Sequence, residues 1–291
     1  MAADDRLGVA AGIGAYFLWG LMPLYLKLLG TLPAVDVLAH RVIWSAAVLA
    51  VVTAFAGRGR VRAALWQPRL LLLLSASTMM IAVNWLVYTS AVLNGRALDT
   101  SLGYFMLPLL NVALGVLLLN EPFPRAKRVA VGLAVAGVAV LTTAHGALPW
   151  VSVVLALSFG LYGLIRKFTA IDAVSGLLVE TMLLAPLGVV WLASTPAGVF
   201  GNDFELLLLL AGSGIITALP LALFGYAARR LSLSAIGFLQ YLAPSMVFLI
   251  AWLGFDEPLD PWKMAAFGLT WAGIAVYLID GLHRRSIPAK A

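Results

Sequence analysis

Ten apolar stretches, each about long enough to cross a lipid bilayer, constrain this chain more than any other feature. They run near 7–29, 35–56, 70–93, 98–119, 127–144, 149–165, 174–194, 205–228, 234–254 and 262–282, and are called spans 1 to 10 here. An α-helix rises about 1.5 Å per residue, so roughly 20 residues cross a hydrocarbon core about 30 Å thick. Lipid offers backbone N–H and C=O groups no partner, so stretches of this kind fold as helices. Composition agrees: of 291 residues, 63% are hydrophobic and 11% charged, where a soluble domain is about one quarter charged. Gly57, Pro68, Pro122, Pro149, Pro196 and Pro258 punctuate the gaps. Span 1 carries Tyr16, Phe17 and Trp19, exceeds the apolar core of a secretory signal, and has no small-x-small cleavage site after it, so it reads as a span. The chain has no cysteine, which excludes disulfides and thiol chemistry.

A net charge of +6 in a soluble protein would point to nucleic acid. Here the basic residues stand between apolar runs, and a membrane surface explains them better. With the N-terminus inside, the inner segments hold Arg6, Arg58, Arg60, Arg62, Arg69, Arg125, Lys127, Arg128, Arg166, Lys167, Arg229, Arg230, Arg284, Arg285 and Lys290. The outer side holds Lys27, Arg96 and Lys263, and Arg41 lies within span 2. This asymmetry predicts an even number of spans with both termini cytoplasmic.

The chain also repeats itself. Shifted by 136 residues, "LLLLL" at 70–74 falls on "LLLLL" at 206–210, Pro108 on Pro244, Glu121-Pro122 on Glu257-Pro258, Lys127 on Lys263, and Gly132 and Gly137 on Gly268 and Gly273. Twelve of the 34 positions from 108 to 141 are identical in this register without a gap. The expected organisation is two five-helix halves, 7–144 and 149–282. Five is odd, so equivalent helices cross in opposite directions. That is the inverted repeat of secondary transporters, whose substrate site lies near the midplane between the halves.

The segments "AYFLWG", "HRVIWS", "SLGYFMLPL", "YGLIRK", "ETMLLAP" and "GFLQYLAPS" follow one another in this order. Together they resemble the RarD branch of the EamA family, in the drug/metabolite transporter superfamily, over nearly the whole chain. The resemblance implies an all-α integral membrane fold of ten transmembrane helices in two inverted EamA repeats. It further implies a place in a bacterial inner membrane and a role in exporting small molecules. RarD members are often labelled chloramphenicol-sensitive proteins, and other members of the family export amino acids or metabolites. The resemblance supplies no coupling residue, so candidates come from the residues themselves.

Arginine within a span costs roughly 2.5–3.5 kcal/mol on insertion scales. Arg41 stands about 8 Å below the outer end of span 2. It either snorkels to that interface or faces a wet cavity and holds an anionic group. His40 points about 100° away from it along a helix, as a packing residue or a proton relay. Glu180 is the one carboxylate well inside a span, about 10 Å above the inner face. Either a helix–helix hydrogen bond to a Ser, Thr or Tyr satisfies it, or it takes up and releases a proton that drives transport. Inversion leaves an axial gap of order 10 Å between Arg41 and Glu180 in a core of about 30 Å, so they are expected at opposite ends of one pathway rather than as a pair. Asn84, Asn111 and Gln240 should point into the bundle. Tyr16, Trp19, Trp85, Tyr88, Tyr104, Tyr162 and Tyr241 either line a solute path or pack. Pro108, Pro220 and Pro244 are expected kinks or hinges. "GLAVAG" (132–137) and "GLTWAG" (268–273) allow close helix approach within the fold or between copies.

No cofactor is expected. The glycines of "GVAAGIGAYFLWG" lie within a span with no strand before them, no Walker motif exists, and neither HExxH nor a dense His/Asp cluster offers a metal site. The reading is therefore a non-enzymatic secondary transporter whose partners are a small-molecule solute, the bilayer and protons. The rival classes are an integral-membrane enzyme acting on lipids and a receptor or scaffold that transports nothing. Reporter tags fused to the two ends should both read cytoplasmic; tags on opposite sides would remove the even-span topology.

Overall fold

The computed structural model describes residues 3–30, 32–56, 59–120, 122–195, 204–228, 230–231, 236 and 239–286. All the regular structure among them is helical. Span 1 is α1 (Ala3–Gly20) followed by α2 (Met22–Leu28), with the break at Leu21 and Pro23 in the first turn of α2, where a missing N–H is harmless. Span 2 is α3 (Ala34–Ala56). A short helix that the apolar pattern does not announce, α4 (Gly59–Leu65), follows. Spans 3 to 8 are α5 (Pro68–Leu93), α6 (Ala97–Leu119), α7 (Arg125–His145), α8 (Trp150–Lys167), α9 (Ala173–Ser194) and α10 (Phe204–Ala228). Span 9 is represented by α11 (Leu242–Leu249), continued by a π-helical turn, Ile250–Gly254; part of its first portion lies outside the described residues. Span 10 is α12 (Pro261–Ser286). Nine helices among the described residues are long and apolar enough to cross a membrane, and Leu242–Gly254 is a shorter apolar one. The protein is thus an all-α, multi-pass membrane protein. Span 8 is one continuous helix, and α6 and α10 run through Pro108 and Pro220 without ending.

The main packing partners are α7 with α12, α3 with α9 and α10, α5 with α8 and α9, α1 with α10 and α11, and α6 with α8 and α11. Exchanging each span with the one five places away leaves this set of partners unchanged. Other features recur at the same interval. Asn120 and Asp256, 136 positions apart, both adopt φ of 53°, a left-handed conformation that Asn and Asp tolerate at a helix end.

The seam between α7 and α12 is built on glycine. A Cβ on Gly137 would lie 3.1 Å from the Ala266 carbonyl oxygen, and one on Gly273 would lie 2.7 Å from that of Ala130. Ala130 and Ala266 are themselves 136 apart, so the two contacts are mirror uses of one motif. At Gly132 and Gly268 an added Cβ would meet nothing within 4 Å. Of the two expectations for these small residues, close approach within the fold is the one seen.

Glu257 explains its half of the Glu-Pro motif. It is 5% exposed, and its two oxygens accept hydrogen bonds from the Ala97 and Leu98 N–H groups at 2.6 and 2.8 Å. Those are orphan donors at the start of α6, where a negative charge also meets the helix dipole favourably. Lys263 Nζ lies 3.7 Å from Asp99 in the same first turn. The equivalent Glu121 lies outside the described residues. Gly273→Ala should lower thermal stability in detergent by about 1–3 kcal/mol, because a backbone carbonyl must move. Gly132→Ala should not; equal effects on melting temperature would show that the seam does not depend on its glycines.

Candidate functional site

Arg41 is the eighth residue of α3, about 10 Å from its start. Two glycines seat α3 on either side of it. A Cβ on Gly188 of α9 would lie 3.3 Å from the Ala39 carbonyl oxygen, and one on Gly214 of α10 would lie 2.5 Å from that of Trp44. This close approach leaves Arg41 only 5% exposed. Its Nε donates to Thr217 Oγ1 on α10 at 3.0 Å, and its guanidinium carbon sits 4.5 Å from the centre of the Trp85 ring on α5. A desolvated cation–π contact of this kind contributes about 2 kcal/mol. Arg41 therefore does not snorkel to the interface; it is held at the junction of α3, α5 and α10. The titratable groups near enough to act on its charge are Tyr104, Tyr88 and Tyr25.

Glu180 is the eighth residue of α9, the same depth from that helix's start, and has no exposed surface. Ser77 Oγ of α5 donates to its Oε1 at 2.5 Å, and Tyr162 OH of α8 donates to its Oε2 at 3.2 Å. Arg166 Nη1, one turn beyond Tyr162, lies 3.7 Å from Oε1; at that length the contact is electrostatic. Glycine makes it possible, because a Cβ on Gly176, one turn before Glu180, would fall on the Arg166 guanidinium. Arg166 Nη2 also donates to the Asp172 carbonyl oxygen at 3.2 Å. Asp172 caps α9 through Ser175 N–H at 3.0 Å and pairs with Arg60 of α4 at 3.3 Å. Partial burial acts to raise the Asp172 pKa, but the Ser175 hydrogen bonds and Arg60 outweigh it and hold the carboxyl below its ordinary value.

The two charges do not meet; an aromatic series joins their surroundings. Tyr88 and Tyr104 have ring centres 5.9 Å apart, Tyr104 and Phe159 5.9 Å, and Phe159 and Tyr162 5.7 Å. Asn84, fully buried, anchors the middle. It donates to the Leu155 carbonyl and to Ser158 Oγ, both at 3.1 Å, and accepts from Tyr104 OH at 2.8 Å. Tyr16 and Trp19 form a separate group with Phe224 of α10, with ring centres 5.3 to 6.1 Å apart. Tyr241 stacks on Phe105 of α6 at 6.3 Å. Gln240 is half-buried at the turn before α11, and His40 is half-buried on α3. Asn111, expected to point into the bundle, is exposed on α6.

A protein-family model, that of the EamA-like transporter family, matches residues 6–143. The RarD protein of Escherichia coli is 38% identical over 294 residues, covering 99% of both chains. An uncharacterised transporter of Pseudomonas aeruginosa is 46% identical over 284 residues, 96% of this chain and 95% of that one. The chain belongs to the EamA-like transporter family. A solved crystal structure, 22% identical, aligns with a TM-score of 0.60 over 96% of this chain and 98% of its own, and so shares the fold.

For an EamA-like membrane transporter, the arrangement of the two charges is informative. Span 2 sends a buried charged side chain to a hydroxyl on span 8, Arg41 to Thr217, and span 7 sends one to a hydroxyl on span 3, Glu180 to Ser77. Sequence reasoning missed Thr217, Ser77, Arg166 and Gly176. Arg166 was visible only as one member of a surface charge cluster, and hydroxyls in leucine-rich helices carry no pattern. Removing the partner of a buried charge costs about 3–5 kcal/mol. Arg166→Gln and Gly176→Val should each lower thermal stability toward that range, and the double variant should lose little more than either alone. Additive losses would show that Gly176 does not act through Arg166.

Proposed function

We propose that this EamA-like transporter is a secondary active exporter of small metabolites or drug-like solutes. It works by alternating access in a bacterial inner membrane, with both termini cytoplasmic and two inverted halves, 7–144 and 149–282. The observation that carries this reading is the pair of reciprocal contacts, Arg41 with Thr217 and Glu180 with Ser77. With span 2 entering from the outer face and span 7 from the inner, the two contacts lie about 10 Å from opposite membrane surfaces. Each ties one half to the other. Making one while breaking the other opens a path first to one side and then to the other, as the halves rock about the shared centre.

Glu180 is the coupling group in this scheme. As a carboxylate it accepts from Ser77 and Tyr162 and faces Arg166. Protonated, it no longer attracts the guanidinium, and one oxygen becomes a donor. A proton taken up there loosens the contact between α5, α8 and α9, so the proton gradient is converted into movement at the inner end. The EamA-like transporter family and the Pseudomonas aeruginosa relative, which is named a transporter, support the assignment to transport.

The test is counterflow and pH-driven efflux in proteoliposomes with a panel of metabolites. Wild-type protein should exchange at least one solute, and an imposed pH gradient should accelerate net export. Glu180→Gln keeps the shape and the Ser77 contact but cannot ionise, so it should abolish the pH-driven component while leaving counterflow measurable. Unchanged pH-driven export in that variant would take Glu180 out of the mechanism.

A further inference from the structure

We infer that Arg41 is the recognition group for an oxyanion on the transported solute, a carboxylate or a phosphate, held end-on by its two Nη groups. The inference rests on the transport reading for its physiological meaning, but the binding site itself follows from the chemistry around Arg41.

Arg41 is buried, yet its charge is not neutralised by the protein. Among the described residues no carboxylate lies within ion-pair distance of it, and three phenols, Tyr104, Tyr88 and Tyr25, stand near it. Phenols are neutral near pH 7. Neither acid that could answer it does so: Glu180 faces Arg166, and Asp36, five residues earlier on α3, accepts from Trp191 Nε1 at 2.6 Å through Oδ1, its buried Oδ2 having no hydrogen-bond partner among the described residues.

The guanidinium is also only partly used. Nε is taken by Thr217 and one face by Trp85, which together fix the plane of the group. The Nη end makes no hydrogen bond to any described residue. Tyr88 is 6% exposed and its hydroxyl likewise has no hydrogen-bond partner among the described residues. A fixed fork of parallel N–H groups matches two coplanar oxygens. A neutral amide presents one acceptor and repels the fork with its NH2 group, and a cation is excluded by charge. Thr217 lies in the second half and Arg41 in the first, so an anion bound at the fork sits where the two halves meet.

The test uses full-length protein in nanodiscs, with benzoate and inorganic phosphate as probes and benzamide as the neutral isostere. Phenylglyoxal modifies arginine, and its reaction at Arg41 is followed by peptide mass spectrometry. Benzoate, phosphate or both should slow modification of Arg41 at least tenfold, and benzamide should not. Which of the two protects identifies the solute group as a carboxylate or a phosphate. Equal protection by benzamide, no protection by either oxyanion, or an Arg41 that never reacts would each overturn the inference. Labelled-solute counterflow separates it from the transport reading. Protection without counterflow of any solute keeps the site and removes transport. Counterflow of neutral solutes without oxyanion protection keeps transport and removes the site.

Discussion

A charge inside a bilayer-spanning helix has to be answered by protein, because lipid cannot answer it. Arg41 and Glu180 impose that condition on this chain, and much of its interior arrangement follows from meeting it. Neither benefits from its own helix. Each is the eighth residue of its helix, two turns in, where the dipole at the N-terminus has faded. Their partners must come from other helices, and they do: Thr217 and Trp85 for Arg41, and Ser77, Tyr162 and Arg166 for Glu180. Satisfying one side chain thereby fixes the relation of three helices at each site.

The contacts that join the helices differ in kind. At the α7–α12 seam, Gly137 and Gly273 bring a helix against backbone carbonyls of its neighbour. Sliding such a seam would force atoms into contact. The start of α6 is held by two hydrogen bonds from a buried carboxylate. By contrast, Arg41 reaches Thr217 through a single hydrogen bond at 3.0 Å, and Ser77 reaches Glu180 through one hydroxyl. A hydrogen bond to a charged group contributes about 1.5–3 kcal/mol. That is strong enough to favour one arrangement and weak enough for a ligand or a proton to reverse it.

Most of the helical frame was legible from the sequence, because apolar length and the need to satisfy the backbone in lipid leave few alternatives. The long helices begin and end within two residues of the apolar stretches in most cases. Span 10 runs further, to Ser286, since a helix can continue into water once its apolar part has crossed. The short α4 was not legible, because its seven residues lack the length that marks a span. At the candidate site, the charged residues themselves stood out against their apolar surroundings, whereas their partners did not. Ser77 and Thr217 are small hydroxyls with no periodic signature. Arg166 looked like a surface charge because it ends α8, and only the missing side chain at Gly176 lets it turn inward to Glu180. The inverted arrangement expected from the repeat gives depths for Arg41 and Glu180 without reference to any neighbouring residue. Depth alone therefore kept the two charges apart but could not name what answers them.

The two sites use corresponding spans but differ in chemistry. Both charges reach a hydroxyl on another helix, yet the sign is reversed, and among the described residues only the negative one has a countercharge beside it. Arg166 on α8 has its repeat counterpart near Pro23 in α2, using the alignment of "YG" at 162–163 with "WG" at 19–20. Proline carries no charge and interrupts the helix there. So where one half supplies a cation to balance Glu180, the other supplies a helix break and leaves Arg41 among phenols and an indole. An inverted repeat with identical sites would present the same chemistry to both faces of the membrane. This chain instead sets a carboxylate with a cation beside it against a guanidinium with no carboxylate in ion-pair distance among the described residues. The asymmetry therefore lies in the chemistry of the two sites and not in the frame that holds them.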